Sequence, residues 1–243
     1  MHVSAVVWHS DKLPAMSSGA RSDRGARSDA GSFRRVRERE LIDATRRLFD
    51  ERGVQDAPID EIARAVGINR ALIYRHFSSK EELFVLTVTD YLAELAGDVR
   101  GAVQGADGPR ERLERGLDAY AAFCLRYPAF LDCALSLMRR PAAELHASIS
   151  ESVWFRLGQG MAALLSQLAD DLARGKRAGV FDFDEPDFAA NLLYTQVLGA
   201  MHLARLGGGI RAAAPGIPEL FRIDPERVRA ACVASALATV LAA

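Results

Sequence analysis

Two short helical patterns separated by a glycine, within residues 59–76, constrain the fold of this chain more than any other stretch. Four apolar residues of the first pattern recur at the spacing of one helical face: Ile59, Ile62, Ala63 and Val66. Gly67 follows them and takes a left-handed backbone conformation at low cost. Asn69 is a good N-cap for a second helix. The spacing predicts helices over 59–66 and 69–76, with a sharp turn between them.

Two short helices joined by a glycine-containing turn form a helix-turn-helix. Ala63 is small enough for the two helices to approach closely, and Ile68 fills the angle between them. The second helix of such a unit fits the major groove of DNA. Charge supports this interpretation, because residues 1–80 contain 15 Lys and Arg against 11 Asp and Glu, while the remainder is acidic.

The rest of the sequence predicts an all-α protein of about nine helices. We expect a disordered tail over 1–32, a three-helix DNA-binding domain over 33–80 and a larger helical domain over 81–243. One long helix is predicted from Pro141 to about Arg174, and residues 207–223 are predicted to be a long connection, because they are rich in Gly and Pro. A last helix is predicted after Asp224 and Pro225.

Composition indicates an ordinary globular chain, with 49% apolar and 26% charged residues. No apolar run approaches the roughly 20 residues of a membrane span. The apolar run Val3–Trp8 is short for a signal peptide and has no basic segment before it. We therefore expect a cytoplasmic protein, and Met16 is an alternative start.

No pattern in the sequence indicates catalysis. A phosphate-binding loop, HExxH and GxSxG are all absent, so we expect neither an enzyme nor a cofactor. The cysteines Cys124, Cys133 and Cys232 lack metal-ligand spacing and are predicted to be core residues. The acidic residues between Asp182 and Asp187 are predicted to be a solvated turn, so no metal site is expected.

The segment Arg37 to Leu83 resembles the N-terminal domain of the TetR family of repressors. LIDATRRLFDERG is followed by IDEIARAVGINRALIYRHFSSKEEL, and the part from GINRALIYRHF onward is the most specific. The resemblance covers about a fifth of the chain. It implies a homodimer that binds a palindromic DNA operator and is controlled by a small, mostly apolar effector.

The resemblance also implies roles for individual residues. The exposed first turn of the recognition helix is Asn69, Arg70, Ala71 and Leu72, and Arg70 can contact a guanine edge or a phosphate. Tyr74 and Lys80 match phosphate-binding positions, and Arg75 and His76 lie at the helix end. Pro58 departs from the family, which more often has Thr or Ser there. Cations that can compensate for its missing hydroxyl precede the first helix: Arg34, Arg35 and Arg37.

An effector pocket is implied between the C-terminal helices. Its candidate residues, for which ordinary core packing is the alternative, are Phe123, Tyr127, Phe130, Met138, Trp154, Met161, Tyr194, Met201 and His202. The last two long helices suit a dimer interface, with a monomer that buries the same face as the alternative. The residues predicted for that interface are Val228, Cys232, Val233, Ala236, Leu237 and Val240.

Three functions therefore remain open. A ligand-responsive homodimeric repressor is the first. A transcriptional activator or a nucleoid-associated DNA-binding protein is the second. A helical enzyme or carrier with an incidental helix-turn-helix is the third, and the sequence offers no paired nucleophile and base to support it.

Overall fold

The computed structural model describes residues 23–241, with side chains from residue 33 onward. Within that range the chain is helical apart from one two-stranded sheet. The helices are α1 (Asp23–Arg52), α2 (Ile59–Val66), α3 (Arg70–His76), α4 (Lys80–Ala102), α5 (Pro109–Arg126), α6 (Pro128–Met138), α7 (Ala142–Ser148), α8 (Glu151–Arg177), α9 (Pro186–Leu206) and α10 (Pro225–Val240). The strands are β1 (Gly208–Ala214) and β2 (Ile217–Arg222). The all-α prediction is confirmed, with this sheet as the exception.

Contacts divide the chain into two compact units, Met1–Arg37 and Glu38–Ala243. The first unit is described from residue 23, where α1 begins. The first ten residues of α1, 23–32, belong to the tail that was predicted to be disordered, and they are helical instead. Arg and Ala are good helix formers, and a helix that already exists extends without a new nucleation cost. The rest of the predicted tail, residues 1–22, lies outside the described residues.

The predicted helices of the motif are confirmed at α2 and α3. Ile59, Ile62 and Ala63 are buried, and so is Ile73 on α3. Gly67 has φ +70° and ends α2, with its N–H donating to Arg64 O at 3.1 Å. The Ile68 N–H donates to Ala63 O at 2.9 Å, which closes the turn.

One predicted helix is two helices in the structure. The segment expected to run unbroken from Pro141 to Arg174 separates into α7 and α8. Ile149 lies between them with extended backbone, φ −136° and ψ 161°. Its side chain is buried, and the next N–H, of Ser150, donates to a Glu82 carboxylate oxygen at 2.7 Å. A tertiary hydrogen bond and a buried side chain therefore override the local helical pattern.

The connection predicted over 207–223 is an antiparallel hairpin. Gly208 pairs with Arg222 and Ala214 with Ile217, so Pro215 and Gly216 form a two-residue turn in which Gly216 has φ +78°. Apart from the half-buried Gly208 and Gly209, the strands are exposed on both faces, and sheets of this kind give no alternating pattern. Their Gly, Ala and Pro content is typical of a loop, which explains the prediction.

The core of residues 38–241 is continuous from the motif to the C-terminal helices. α4 is central to it, because it contacts α5, α6 and α8. The three cysteines are buried, as predicted. In the described range no single helix has the length and hydropathy of a membrane span, although α5 and α6 together do and meet at 103°.

Candidate nucleic-acid interface and ligand cavity

The outer face of α3 presents most of the residues predicted to contact DNA. Ile73 and Phe77 are buried at 1% and 2% exposure and fix the inner face of the helix. The opposite face is exposed at Asn69, Arg70, Ala71, Tyr74 and Arg75. Leu72 and His76 are half-buried at the edges of this surface. The structure therefore brings these seven residues to one helix, and the four exposed polar or charged side chains among them are Asn69, Arg70, Tyr74 and Arg75.

Local hydrogen bonds hold the first turn of α3 in place. The Asn69 side chain accepts from the Leu72 N–H at 3.0 Å, so the predicted N-cap is confirmed. The Arg70 guanidinium lies 5.7 Å from the centre of the Tyr74 ring, one helical turn away. This distance is typical of a cation–π contact. Both side chains are therefore oriented before any partner arrives.

Lys80 is exposed in the first turn of α4, next to the end of α3. Ser79 caps α4, because its Oγ accepts from the Glu82 N–H at 3.1 Å. Glu82 is 5% exposed, and its carboxylate accepts from the N–H groups of Ser78 and Ser150, each at 2.7 Å. Burial raises the pKa of Glu82, but the hydrogen bonds from Ser150 and Ser78 outweigh it and leave the pKa below its usual 4.5.

Glu82 therefore ties the α3–α4 turn to the start of α8. This residue was not among those predicted from the sequence to be functional. Its spacing from Ser79 is that of a capping box, which signals the helix start but not the bond to Ser150, 68 positions away.

Pro58 precedes α2 and makes no side-chain capping hydrogen bond, as its chemistry requires. Among the cations predicted to compensate for it, Arg34 and Arg35 are exposed on α1 and Arg37 is half-buried. These three belong to the first unit, so their role stays a prediction.

A small cavity lies between α4, α5, α8 and α9. Its volume is about 30 Å³, enough for about two water molecules. The rings of Tyr120 and Tyr194 stack in its wall, with centroids 5.5 Å apart and planes at 14°. Burial raises the pKa of both phenols, so both are neutral at physiological pH. Aliphatic side chains line most of the remaining wall: Val99, Val103, Leu113, Leu117, Leu164, Leu165 and Leu168.

Polar groups lie at one end of this apolar cavity. The Arg112 Nε donates to Asp171 at 3.0 Å, and Asp171, which is 4% exposed, also accepts from Arg174. The third polar group is Gln167, whose Nε2 is buried without a hydrogen-bond partner in the described chain. These residues were not predicted from the sequence, although Asp171 and Gln167 interrupt the apolar stripe of α8 at positions where leucine is otherwise frequent.

Only one of the nine predicted pocket residues, Tyr194, lines this cavity. Phe123, Tyr127 and Phe130 instead form an aromatic cluster with Tyr91, with ring centroids 4.8–5.8 Å apart. The remaining predicted residues lie elsewhere: Met201 is buried in the core, Met161 and Trp154 are half-buried, and Met138 and His202 are exposed. Eight of the nine therefore do not line this cavity, and their contact with a ligand stays a prediction.

The residues predicted for the dimer interface are inside the chain. Val228, Cys232, Val233, Ala236, Leu237 and Val240 are at most 9% exposed, and α10 contacts α5 and α9. The broad apolar face of α10 therefore stabilises a single chain, and a different face of the same two helices is left exposed. That exposed stripe consists of Phe188, Leu192, Gly199, Leu203 and Leu206 on α9 and Ala231, Ser235 and Thr239 on α10.

Comparison with known proteins agrees with this geometry. The profile of bacterial regulatory proteins of the tetR family matches residues 41–86. The HTH-type transcriptional regulator BetI of Brucella suis biovar 1 (strain 1330) is 37% identical over 78 residues, which are 32% of this chain and 39% of that protein. The HTH-type transcriptional activator FasR of Mycolicibacterium smegmatis is 33% identical over 107 residues, 41% of this chain and 49% of that protein. The matches thus span less than half the length of these relatives.

Solved structures extend the likeness over most of the fold. AibR, solved in complex with isovaleryl coenzyme A and operator DNA, superposes with a TM-score of 0.55 at 18% identity. The superposition covers 82% of this chain and 97% of that one. At this identity the comparison establishes the fold alone.

Proposed function

The chain carries the N-terminal domain of the TetR family on the fold of that family, and from this premise we propose that it is a ligand-responsive, homodimeric repressor of transcription. The observation that supports DNA binding most strongly is the exposed, cation-bearing face of α3 in a helix-turn-helix whose inner face is buried. Arg70 and the first turn of α3 read base edges in the major groove. Tyr74 and Lys80 hold phosphates on either side.

A mobility-shift titration with DNA selected from a random pool tests the DNA face. The variants Tyr74→Ala and Lys80→Ala should each weaken binding on every sequence, because phosphate contacts carry no base information. Lys80→Ala should also reduce the salt slope by about 1 per protomer. Arg177→Ala, which removes an exposed cation at the end of α8, is the matched control and should bind like the parent. Parent-like binding by both test variants would contradict the assigned face.

The proposed dimer uses the exposed stripe of α9 and α10. Four large apolar side chains on α9 are 42–66% exposed, at Phe188, Leu192, Leu203 and Leu206. Small residues beside them, Gly199 on α9 and Ala231 on α10, allow helices of a second copy to approach closely. Burying such a stripe removes apolar surface from water, and a two-fold pairing places two copies of α3 for a palindromic site.

Gly199→Arg tests this dimer. A Cβ at Gly199 meets nothing within 4 Å, so the substitution leaves the chain's own packing intact. Gly158→Arg on α8 is equally unhindered and serves as the control. Sedimentation equilibrium should show a monomer for Gly199→Arg and a dimer for Gly158→Arg. A dimer for both would place the interface elsewhere.

The proposed response to a ligand runs through α4 and α8. α4 carries Lys80 at its first turn and Val99 in the cavity wall, and α8 begins beside Glu82 and contributes Leu164 to the same wall. A molecule that enlarges the cavity has to displace one or both helices, and with them the α3–α4 turn. It shifts the equilibrium only by binding the displaced arrangement more tightly.

Activation is a second candidate function. FasR is named an activator, and its match to this chain is longer than that of BetI. A reporter gene behind the selected DNA distinguishes the two: repression requires more transcript when the regulator is deleted, and activation requires less.

A further inference from the structure

A surface cleft adjoins the apolar cavity on the side of its polar groups. The cleft has a volume of about 380 Å³ and shares Val103, Arg112 and Gln167 with the cavity. Arg100 and Arg174 line the cleft as well and are exposed to solvent. The two spaces are therefore neighbours with a common wall, one mostly apolar and partly enclosed, the other open and basic.

The charges of this common region do not cancel. Arg100, Arg112 and Arg174 carry three positive charges, against the two negative charges of Asp170 and Asp171. Asp171 already accepts from two of the arginines, so it orients them and leaves one positive charge in excess. Arginine binds carboxylate and phosphate oxygens through several N–H groups at once.

Gln167 stands at the boundary between the two spaces. Its buried Nε2 has no hydrogen-bond partner in the described chain, and buried donors are almost always paired. Its neighbours on α8, Leu164 and Leu168, face the cavity. The Gln167 amide lies between an apolar slot and three arginines, where it can donate to a ligand oxygen that enters from the cleft.

From these observations we propose that the apolar cavity and the basic cleft form one binding site for a small amphipathic anion. Its apolar part, a short branched or aromatic group, enters the slot beside Tyr120 and Tyr194. Its anionic or carbonyl oxygen accepts from Gln167, and the charge lies among Arg100, Arg112 and Arg174. The slot is too small for such a group in this conformation, so binding opens it, which is the displacement that the proposed ligand response requires. This inference rests on that proposed response.

Two sources supply this chemistry: a free organic acid, and the coenzyme A thioester of the same acid, whose phosphates extend into the cleft. Isothermal titration calorimetry on the full chain without DNA separates them. The probes are isovalerate, benzoate and phenylacetate, the thioester of each, and the matching neutral alcohols. We expect one of the two anionic series to bind, and its alcohols to bind at least about tenfold more weakly, because a charge-assisted hydrogen bond is lost.

Variants then locate the site. The double variant Arg100→Gln/Arg174→Gln, at two exposed positions, should weaken the best anion about tenfold or more. Arg177→Gln, on the same helix but outside the cleft, should leave its affinity unchanged. Gln167→Leu should lower the affinity for the anion and leave the melting temperature no lower than that of the parent. A merely structural role for Gln167 would instead lower both.

Equal affinity for anions and alcohols would overturn the proposal, as would parent-like affinity in the double variant. Absence of binding by every probe at millimolar concentration would overturn it too. Release of operator DNA is measured separately. An anion that binds at this site without changing DNA affinity leaves the site standing and contradicts the proposed ligand response instead.

Discussion

The two ends of this molecule are built in different ways. The DNA face of α3 is made by residues within a dozen positions of one another and is already ordered by a cap, a turn and a buried inner face. The cavity is made by four helices whose residues are up to about a hundred positions apart, and it is small and partly enclosed. A preformed surface suits a rigid partner such as DNA. A cavity that is too small for its ligand instead suits a molecule that displaces helices when it binds.

Glu82 connects these two ends, and its removal should have the largest effect on stability. Glu82→Gln replaces two charge-assisted hydrogen bonds, from Ser78 and Ser150, with weaker ones and should cost about 1.5–3 kcal/mol of unfolding free energy. Glu81→Gln, at the neighbouring and less buried position, is the control. Urea titration measures both. A loss no larger than that of the control would mean that the bond to α8 does not hold the two ends together.

The same carboxylate predicts a pH dependence. The pKa of Glu82 is lowered in the folded chain from its usual 4.5. Its contribution to stability is therefore fully present above that pH and is lost as the pH falls through the lowered pKa. The parent should lose more stability than Glu82→Gln between pH 5 and the acid transition. Parallel curves for the two proteins would show that Glu82 does not titrate in this way.

At the cavity, a polar-to-apolar substitution should stabilise the chain. Gln167→Leu removes a buried donor without a partner and should raise the unfolding free energy by about 1 kcal/mol. Ser166→Leu, on the exposed side of α8, controls for added apolar surface. Thermal melting compares the two. A clear loss of stability in Gln167→Leu would mean that the amide is satisfied and the cavity is ordinary core.

At the DNA end, restoring a hydroxyl should have the smallest effect. Pro58→Thr gives α2 a capping side chain and a phosphate donor where the present residue makes no capping hydrogen bond. We expect a gain of at least about threefold in DNA affinity, because the added hydroxyl of each protomer donates to a phosphate oxygen. Pro58→Val has similar shape without the hydroxyl and should show no gain. Equal affinities in the two variants would show that DNA does not approach the start of α2.

The sequence predicted the DNA end well because its determinants are local. The turn at Gly67, the cap at Asn69 and the burial of Ile62 on α2 and Ile73 on α3 are each set by residues a few positions away. All of them were observed. The cavity depends on which helices meet, and no local pattern in one sequence contains that information. Tyr194 was identified, but its stacking partner Tyr120, 74 positions earlier, was not.

The α9–α10 region shows a second reason for failure. An apolar stripe on α10 was predicted to meet a partner chain, yet the same stripe packs against α5 and α9. Periodicity identifies which face is buried but not what covers it. Likewise, the hairpin between these helices is mostly exposed on both sides, so its strands show no alternation of apolar and polar residues in the sequence.

The central claim is that the exposed face of α3 reads DNA sequence, and comparing selections with the parent and with Arg70→Ala tests it most directly. The parent should enrich a palindrome from random DNA. Arg70→Ala should relax one position in each half-site and lose about 1–3 kcal/mol there, while the other positions keep their preference. Enrichment of the same palindrome at the same affinity by both proteins, or of no sequence by the parent, would contradict the account.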